Sequence, residues 1–403
     1  MTHSATPQQQ ASDALAEQRI GAVRPQLSGV ALARDLLALG DRELLHAGPA
    51  LADPRRPCTP ILNAAVAAVL LENWAQTPEQ AREMVSSGAI SLRPAQDRNC
   101  VLPLADVLSP SMWVQVVRDA HALRRWCCSP FNGGMLHPMR VGVFKPEVVD
   151  HLRWLDHVFA PAFSAALTEP IDLIPLADQG LADGDDGHGK TMAMTRALAA
   201  CLKPRLSAAQ ASTCLSYLEQ SPGYFLNLWM AACRCMLSAA NGTKGSGVVT
   251  AAGGNGDAFG IQVAGLPGRW FSGPAAAPAI AQATPEMTAS SLGAIGDSAL
   301  VDLLGFGAMT TLAIPRGPAG FLAVWPLEAE APNALLGHAH PGFALTRPRL
   351  TVNTRRVLSS GRQPLISLGV LDKAGQRGRL DAGYFRVPLE LFSDAEESLT
   401  HAP

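Results

Sequence analysis

Apolar positions recur at helical spacing over long stretches of this chain and alternate in strand fashion over shorter ones. Residues 1–25 are polar and predict a disordered N-terminus. Helical patterning follows over 32–39 and 61–74. At Thr77-Pro78-Glu79 a hydroxyl cap, a proline at the first helical position and an acid in the first turn predict a third helix ending near Gly88. Residues 89–92, 113–117 and 140–144 read as short strands. His46-Ala47-Gly48-Pro49 reads as a turn.

From 146 onward the pattern is almost wholly helical. Val149, Leu152, Leu155 and Phe159 share one face, and Pro161 marks a break. Further helices are expected at 190–202, 208–219 and 224–240. Strands return at 248–249, 260–263, 320–325, 365–371 and 384–387, with a helix at 298–312. Strands and helices do not alternate regularly, so the pattern predicts an α+β, multi-domain chain with an inserted helical domain. The expected units are 26–145 (α+β), 146–222 (helical insert) and 223–403 (α+β).

Composition narrows the classes of function. Hydrophobic residues make up 48% and charged residues 16% of 403 residues, which suits a chain that buries much of itself. The net charge of -2 and the lack of a basic block argue against a nucleic-acid partner. No run reaches the ~18 apolar residues of a membrane span; the longest candidate, 304–325, is broken by Pro315, Arg316 and Pro318. The N-terminus lacks the apolar core of a secretion signal. The eight cysteines form no CxxC pair. Together these features point to a reducing, cytoplasmic setting with no membrane partner.

Several constellations carry candidate chemistry. Gly184 to Thr191 reads GDDGHGKT and matches a phosphate-loop pattern. The segment before it is a poor buried strand, so nucleotide binding is a weak third reading. The same run places Asp185, Asp186 and His188 together at a helix start, where they could move a proton or orient a substrate, or merely cap the helix. No further His/Cys cluster supports a metal, and no cofactor is expected. Asn255-Gly256-Asp257 reads as a hairpin turn. Gly296-Asp297-Ser298 reads as a helix cap or a ligand-facing helix start. Arg269-Trp270 is either a stacked guanidinium or a core indole beside a surface arginine. His338 and His340 read as lone surface histidines. Asn353-Thr354-Arg355-Arg356 bears only a loose likeness to the phosphate-binding motif of aspartate and ornithine carbamoyltransferases and is not credited.

Longer segments resemble the YlbE-like family, numbered 1116 among domains of unknown function, and its AllG-like branch. The carriers include LLHAGPAL (44–51), SPSM (109–112), LRWLDHVFAPAFSAAL (152–167), GDDGHGK (184–190) and GYFLNLWMAA (223–232). They continue with GSGVVTA and NGDAFGIQVAGLPGRWF (245–271), IGDSA (295–299) and LDKAGQRGRLDAG (371–383). The resemblance implies an α+β fold with a helical insert and a subunit of a carbamoyltransferase-like enzyme. In the AllG-like branch, that enzyme is oxamate carbamoyltransferase of allantoin breakdown. The implied partners are an acyl-CoA-synthetase-like companion subunit, a second small companion and a carbamoyl or amide-acid substrate. Self-association is left open.

This sequence departs from the family pattern in three places. Ala95-Gln96-Asp97-Arg98-Asn99 stands where the family carries a Cys-His-His-His-like run. Asp186, Gly189, Lys190 and Thr191 change the family's Gly-Asp-Glu-x-His-Asn-Arg-Asn motif, and Ala258 replaces an acid. The expected roles are Asp185, Asp186 and His188 in proton handling, with Asn255, Gly256, Arg269, Asp297 and Ser298 binding substrate. The alternative is a non-catalytic scaffold that binds a small acid for the companion enzyme.

Overall fold

The computed structural model describes residues 5–131, 134, 136–310 and 331–401. Its elements begin with α1 (Pro7–Ala22), β1 (Pro25–Leu32), α2 (Ala33–Leu36), β2 (Glu43–His46), α3 (Thr59–Leu71), α4 (Pro78–Ser86), β3 (Ser91–Pro94), β4 (Val107–Leu108), β5 (Trp113–Asp119) and β6 (Ala122–Pro130). Next come α5 (Pro146–Trp154), α6 (Ala160–Ala166), β7 (Ile171–Asp172), α7 (Leu173–Ala182), α8 (Met192–Leu202), α9 (Ala208–Glu219) and α10 (Phe225–Ser238). The remainder holds β8 (Val249–Asn255), β9 (Ala258–Val263), β10 (Phe271–Pro274), α11 (Pro285–Ser290), β11 (Ile295–Gly296), α12 (Ala299–Leu304), α13 (Ala331–Leu335), α14 (Thr354–Ser360), β12 (Leu365–Leu371), β13 (Arg379–Arg386) and α15 (Leu389–Thr400). The fold is a mixed α+β arrangement.

Antiparallel strands build the sheets β6-β5-β1-β7 and β10-β9-β8-β11 and the hairpin β12-β13; in β3-β2-β4 the β2–β3 pair is parallel. The strand β7, within the helix-rich stretch, pairs with β1 through Ile171 and Leu27. Between the two larger sheets runs α10, in contact with β1, β5, β6, β8 and α12. Its residues from Phe225 to Leu237 are buried except Leu226, as an all-round apolar helix demands. The one buried charge, Arg234, donates to the Thr250 carbonyl at 3.2 Å.

Several expectations need correction. Residues 7–22 are not frayed: Thr6 and Gln9 form a capping box, and α1 buries Asp13 and Glu17. Those acids are neutralised from far along the chain, Asp13 by Arg355 (2.7 Å) and Glu17 by Arg356 (2.6 Å). Arg355 also binds Glu396 at 2.8 Å, so it serves as an internal ion-pair anchor, not a phosphate ligand. The expected helix at 32–39 is reduced to α2, because the chain up to Leu32 pairs with β5. Residues 140–144 form no strand; Met139–Val141 is a 3-10 turn closed by Gly142 at φ 69. His340 is buried, with burial pulling its pKa down to about 4, whereas His338 is exposed. The helix expected at 298–312 ends at Leu304, because Gly305 takes φ 123 against the Arg349 carbonyl. The strand expected at 320–325 lies outside the described residues. No helix among the described residues is long and apolar enough to cross a membrane.

Candidate functional site

The loop from Gly184 to Thr191 is shaped by its own carboxylates. Asp186 accepts the backbone N–H groups of His188 (2.7 Å) and Lys190 (2.9 Å). These are the kind of donors a phosphate loop offers to phosphate, so here they are occupied internally. The element before the loop is the helix α7, not a strand. Both features argue against the nucleotide reading. Asp185 turns away from the loop and accepts the Met194 N–H at 2.9 Å, satisfying a donor in the first turn of α8. Burial raises the pKa of both acids, opposed by these N–H donors.

This loop is stitched to the end of α12. The Gly307 N–H donates to the Asp186 carbonyl at 2.7 Å. Beside that contact, His188 Nδ1 hydrogen-bonds the carboxylate of Asp302. Asp302 is fully buried, and its other oxygen accepts the N–H groups of Ala308 (2.6 Å) and Ser367 (3.1 Å). The dyad requires Gly307: a Cβ there would lie 2.5 Å from the Asp302 oxygen and 2.7 Å from His188 Cβ, at a φ of 54.

On His188, burial exerts the largest pull and lowers the pKa. The charge and hydrogen bond of Asp302, with Asp186 beyond, outweigh it and leave the imidazole raised above 6.5. Its Nε2 makes no hydrogen bond among the described residues. Such an imidazole, oriented by a carboxylate with one nitrogen open, can accept or donate a proton near neutral pH.

The dyad borders a cavity of about 320 Å³. Asp186, His188 and Lys190 come from the loop, and Asn227 from the start of α10. Ser298 comes from the start of α12, and Ser367, Arg379 and Tyr384 from the β12-β13 hairpin. Arg140 enters from the turn before α5. Three cationic side chains, Arg140, Lys190 and Arg379, thus face one hollow beside a histidine. Arg379 donates to the Asp381 carbonyl at 3.2 Å and has no salt bridge among the described residues. That charge suits an anion carrying phosphate or carboxylate.

The structure therefore brings Asp186, His188 and Ser298 to one cavity. Asp297 lies behind it: fully buried, it accepts Gly48 and Leu102 N–H groups at 2.9 Å and the Gln96 amide at 2.6 Å. Burial pushes its pKa up to about 7, against those donors. Asn255 does not line the cavity; its amide donates to the Pro49 carbonyl at 2.9 Å while its oxygen closes the β8-β9 turn. Gly256, at φ 89, is packed against Cys58 and Leu292. Arg269 is exposed, with its guanidinium over the Phe271 ring at 5.0 Å, and Trp270 donates to Asp97. Among the described residues, no group of three or more His, Cys, Asp or Glu side chains is arranged to hold a metal. Sequence reasoning passed over Asp302, Arg140, Arg379 and Tyr384; only the spacing of the matched segments around 295–299 and 371–383 hinted at two of their neighbourhoods.

Residues 90–298 match the model of the family described as oxamate carbamoyltransferase subunit AllG. An Escherichia coli K12 protein named oxamate carbamoyltransferase subunit AllG is 31% identical over 420 residues, covering 98% of each chain. The chain belongs to the AllG family. Within the same organism, uncharacterized protein YahG is 29% identical, over 88% of this chain and 78% of that one. A solved structure, a conserved protein of unknown function from Enterococcus faecalis V583, superimposes with a TM-score of 0.89 at 26% identity and covers 98% of each chain. The AllG-like resemblance read from the long motifs thus holds at family level, and at 31% identity this is a divergent member.

Proposed function

We propose that this chain is a subunit of an oxamate carbamoyltransferase-like enzyme, working with companion subunits in purine-derived nitrogen metabolism. The reading rests on one observation above others: the His188–Asp302 dyad opens onto a cavity bearing Arg140, Lys190 and Arg379. Carbamoyl transfer asks for that combination. Cations hold the phosphate of the donor and the carboxylate of the acceptor, and a base takes a proton from the attacking nitrogen. In the proposed step, the acceptor's amide nitrogen bonds to the carbamoyl carbon. The bond from that carbon to the phosphate oxygen breaks, phosphate leaves with the electron pair, and His188 Nε2 takes the nitrogen's proton. The microscopic reverse is phosphorolysis of the carbamoylated amide acid.

Asp186 shapes the loop that presents His188, and Ser298 adds a hydroxyl at the wall. Asp185 and Asp297 hold the flanking backbone from behind. The requirement for companions is supported by the word subunit in the E. coli relative's name. The test is phosphate release from carbamoyl phosphate and oxamate by the chain assembled with its genomic companions. No phosphate release, with any amide-acid acceptor and an intact assembly, sinks the proposal.

A second reading has an observation of its own. Gln96 stands in the region where the family carries histidines, and its amide is spent on Asp297 and the Ala252 carbonyl. That loss favours a non-catalytic subunit that binds a small acid for an acyl-CoA-synthetase-like companion. Under this reading His188→Ala leaves the complex's turnover unchanged.

A further inference from the structure

The cavity beside the dyad holds a group that the step above does not use. Asn227 lies in the first turn of α10 and lines that cavity, yet it is only 3% exposed. Its Nδ2 donates to the Pro130 carbonyl, at the end of β6, at 3.2 Å. That contact fixes which limb of the amide is which: a carbonyl only accepts, so the nitrogen must face it. Oδ1 is the limb left over. It accepts no hydrogen bond among the described residues, and it is not a sealed atom, whereas Trp229 Nε1 on the same helix is.

The charge of the walls gives an uncharged acceptor its meaning. Arg140, Lys190 and Arg379 draw an anion into the cavity. An aspartate of the same shape at position 227 would accept a hydrogen bond too, but it would repel that anion. The hydroxyls of Ser298 and Ser367 donate as readily as they accept. Asp186 already engages Oδ1 with the His188 and Lys190 N–H groups. A cationic hollow with an amide oxygen on its wall therefore matches an anion whose other end is a plain N–H donor. Carbamoyl and carboxamide groups joined to phosphate or carboxylate have that form.

We propose that Asn227 is a specificity-determining residue: its Oδ1 accepts the N–H of a carbamoyl or carboxamide group, and so rejects the methyl analogue of the same shape and charge. The choice of ligands rests on the carbamoyltransferase reading, whereas the geometry of the amide does not. When a methyl group takes the place of the amino group, the Asn227 oxygen loses both water and partner. An unpaired polar atom in the site is the source of strong discrimination between isosteres.

Calorimetry on the full chain tests this with two pairs of ligands that differ by methyl for amino: oxamate against pyruvate, and carbamoyl phosphate against acetyl phosphate. Within at least one pair the amino ligand should bind about tenfold more tightly. Asn227→Leu keeps the size and removes the oxygen. It should bring that ratio to about one by weakening the amino ligand, with the methyl ligand unchanged. Asn227→Ala should do the same, and covers the case in which leucine disturbs α10. The pair that loses its preference identifies the group read, the acceptor's amide or the donor's carbamoyl. Equal binding within both pairs by the wild type, no binding of any of these ligands at about 10 mM, above the ordinary range of KM, or a preference undiminished in both variants overturns the proposal. Phosphate release by the assembled enzyme separates this role from the reading it rests on. Turnover without an amino preference removes the role of Asn227 alone, and an amino preference without turnover removes the carbamoyltransferase reading alone.

Discussion

The Nδ1 atom of His188 hydrogen-bonds the Asp302 carboxylate, although the two residues lie 114 positions apart in the chain. Asp302 is fully buried and fixed by Ala308 and Ser367 N–H groups, so it sets both the tautomer and the angle of the imidazole. If His188 takes the proton in carbamoyl transfer, Asp302→Asn should lower kcat of the assembled enzyme by about 10²-fold or more. The amide keeps an acceptor for the two N–H groups, so the fold should survive. The pH profile separates positioning from mere structure. A proton acceptor works in its neutral form, so the wild-type rate should rise with pH through a pKa above 6.5. Without the carboxylate, burial prevails and that limb should move to lower pH. The same pairing adds stability below pH 6.5, which is lost as pH rises through the folded-state pKa.

Arg379 sits on the β12-β13 hairpin at the cavity wall, bonded only to the Asp381 carbonyl among the described residues. Its removal costs little internal structure. Arg379→Ala should therefore raise KM for the anionic substrate and lower kcat/KM by about 10- to 100-fold, as expected for a lost charge-assisted hydrogen bond. Steady-state kinetics at fixed ionic strength checks this. Arg379→Lys should recover only part of the loss, because a point charge cannot reproduce a forked contact.

Asp297 gathers three N–H donors, from Gly48, Gln96 and Leu102. Asp297→Asn turns one acceptor into a donor facing a donor. The expected cost is about 1–3 kcal/mol in urea unfolding at pH 7. Because Ser298 follows directly and lines the cavity, substrate affinity should weaken as well.

Asp13 anchors α1 to the C-terminal part of the chain through Arg355, Ser246 and Gly247. Asp13→Ala leaves the buried Arg355 guanidinium with Glu396 as its one remaining carboxylate among the described residues, beside the Gly245 carbonyl. Loss of about 3 kcal/mol is expected, since breaking a buried pair strands its partner. Double substitution of Asp13 and Arg355 by apolar residues should recover part of it, and a melting series on the single and double variants measures both.

What was legible in the sequence was whatever short-range chemistry dictates. The Thr77-Pro78-Glu79 start opens α4, with Thr77 accepting the Gln80 N–H, and Asn255-Gly256-Asp257 turns β8 into β9. The apolar helix at Phe225–Ser238 is the central core helix. Illegible parts depend on distant partners. Asp13 and Glu17 look like surface acids until Arg355 and Arg356 arrive. Strand β1 carries no strand signal of its own that the sequence reading used; its pairing with β5 defines it. The site follows the same rule. Asp186 and His188 stood out because they adjoin in sequence, whereas nothing local in the sequence singles out Asp302, Arg140 or Arg379. Folding alone brings Arg140 and Arg379 to one cavity with His188, and Asp302 to the imidazole from behind.

The most direct test replaces His188 in the assembled complex and measures phosphate release from carbamoyl phosphate and oxamate, with melting temperature as the control. With His188 handling the proton, His188→Ala should lower kcat by about 10²-fold or more while the complex still assembles. Turnover equal to wild type in an intact complex would contradict a catalytic dyad and leave this chain as a binding subunit.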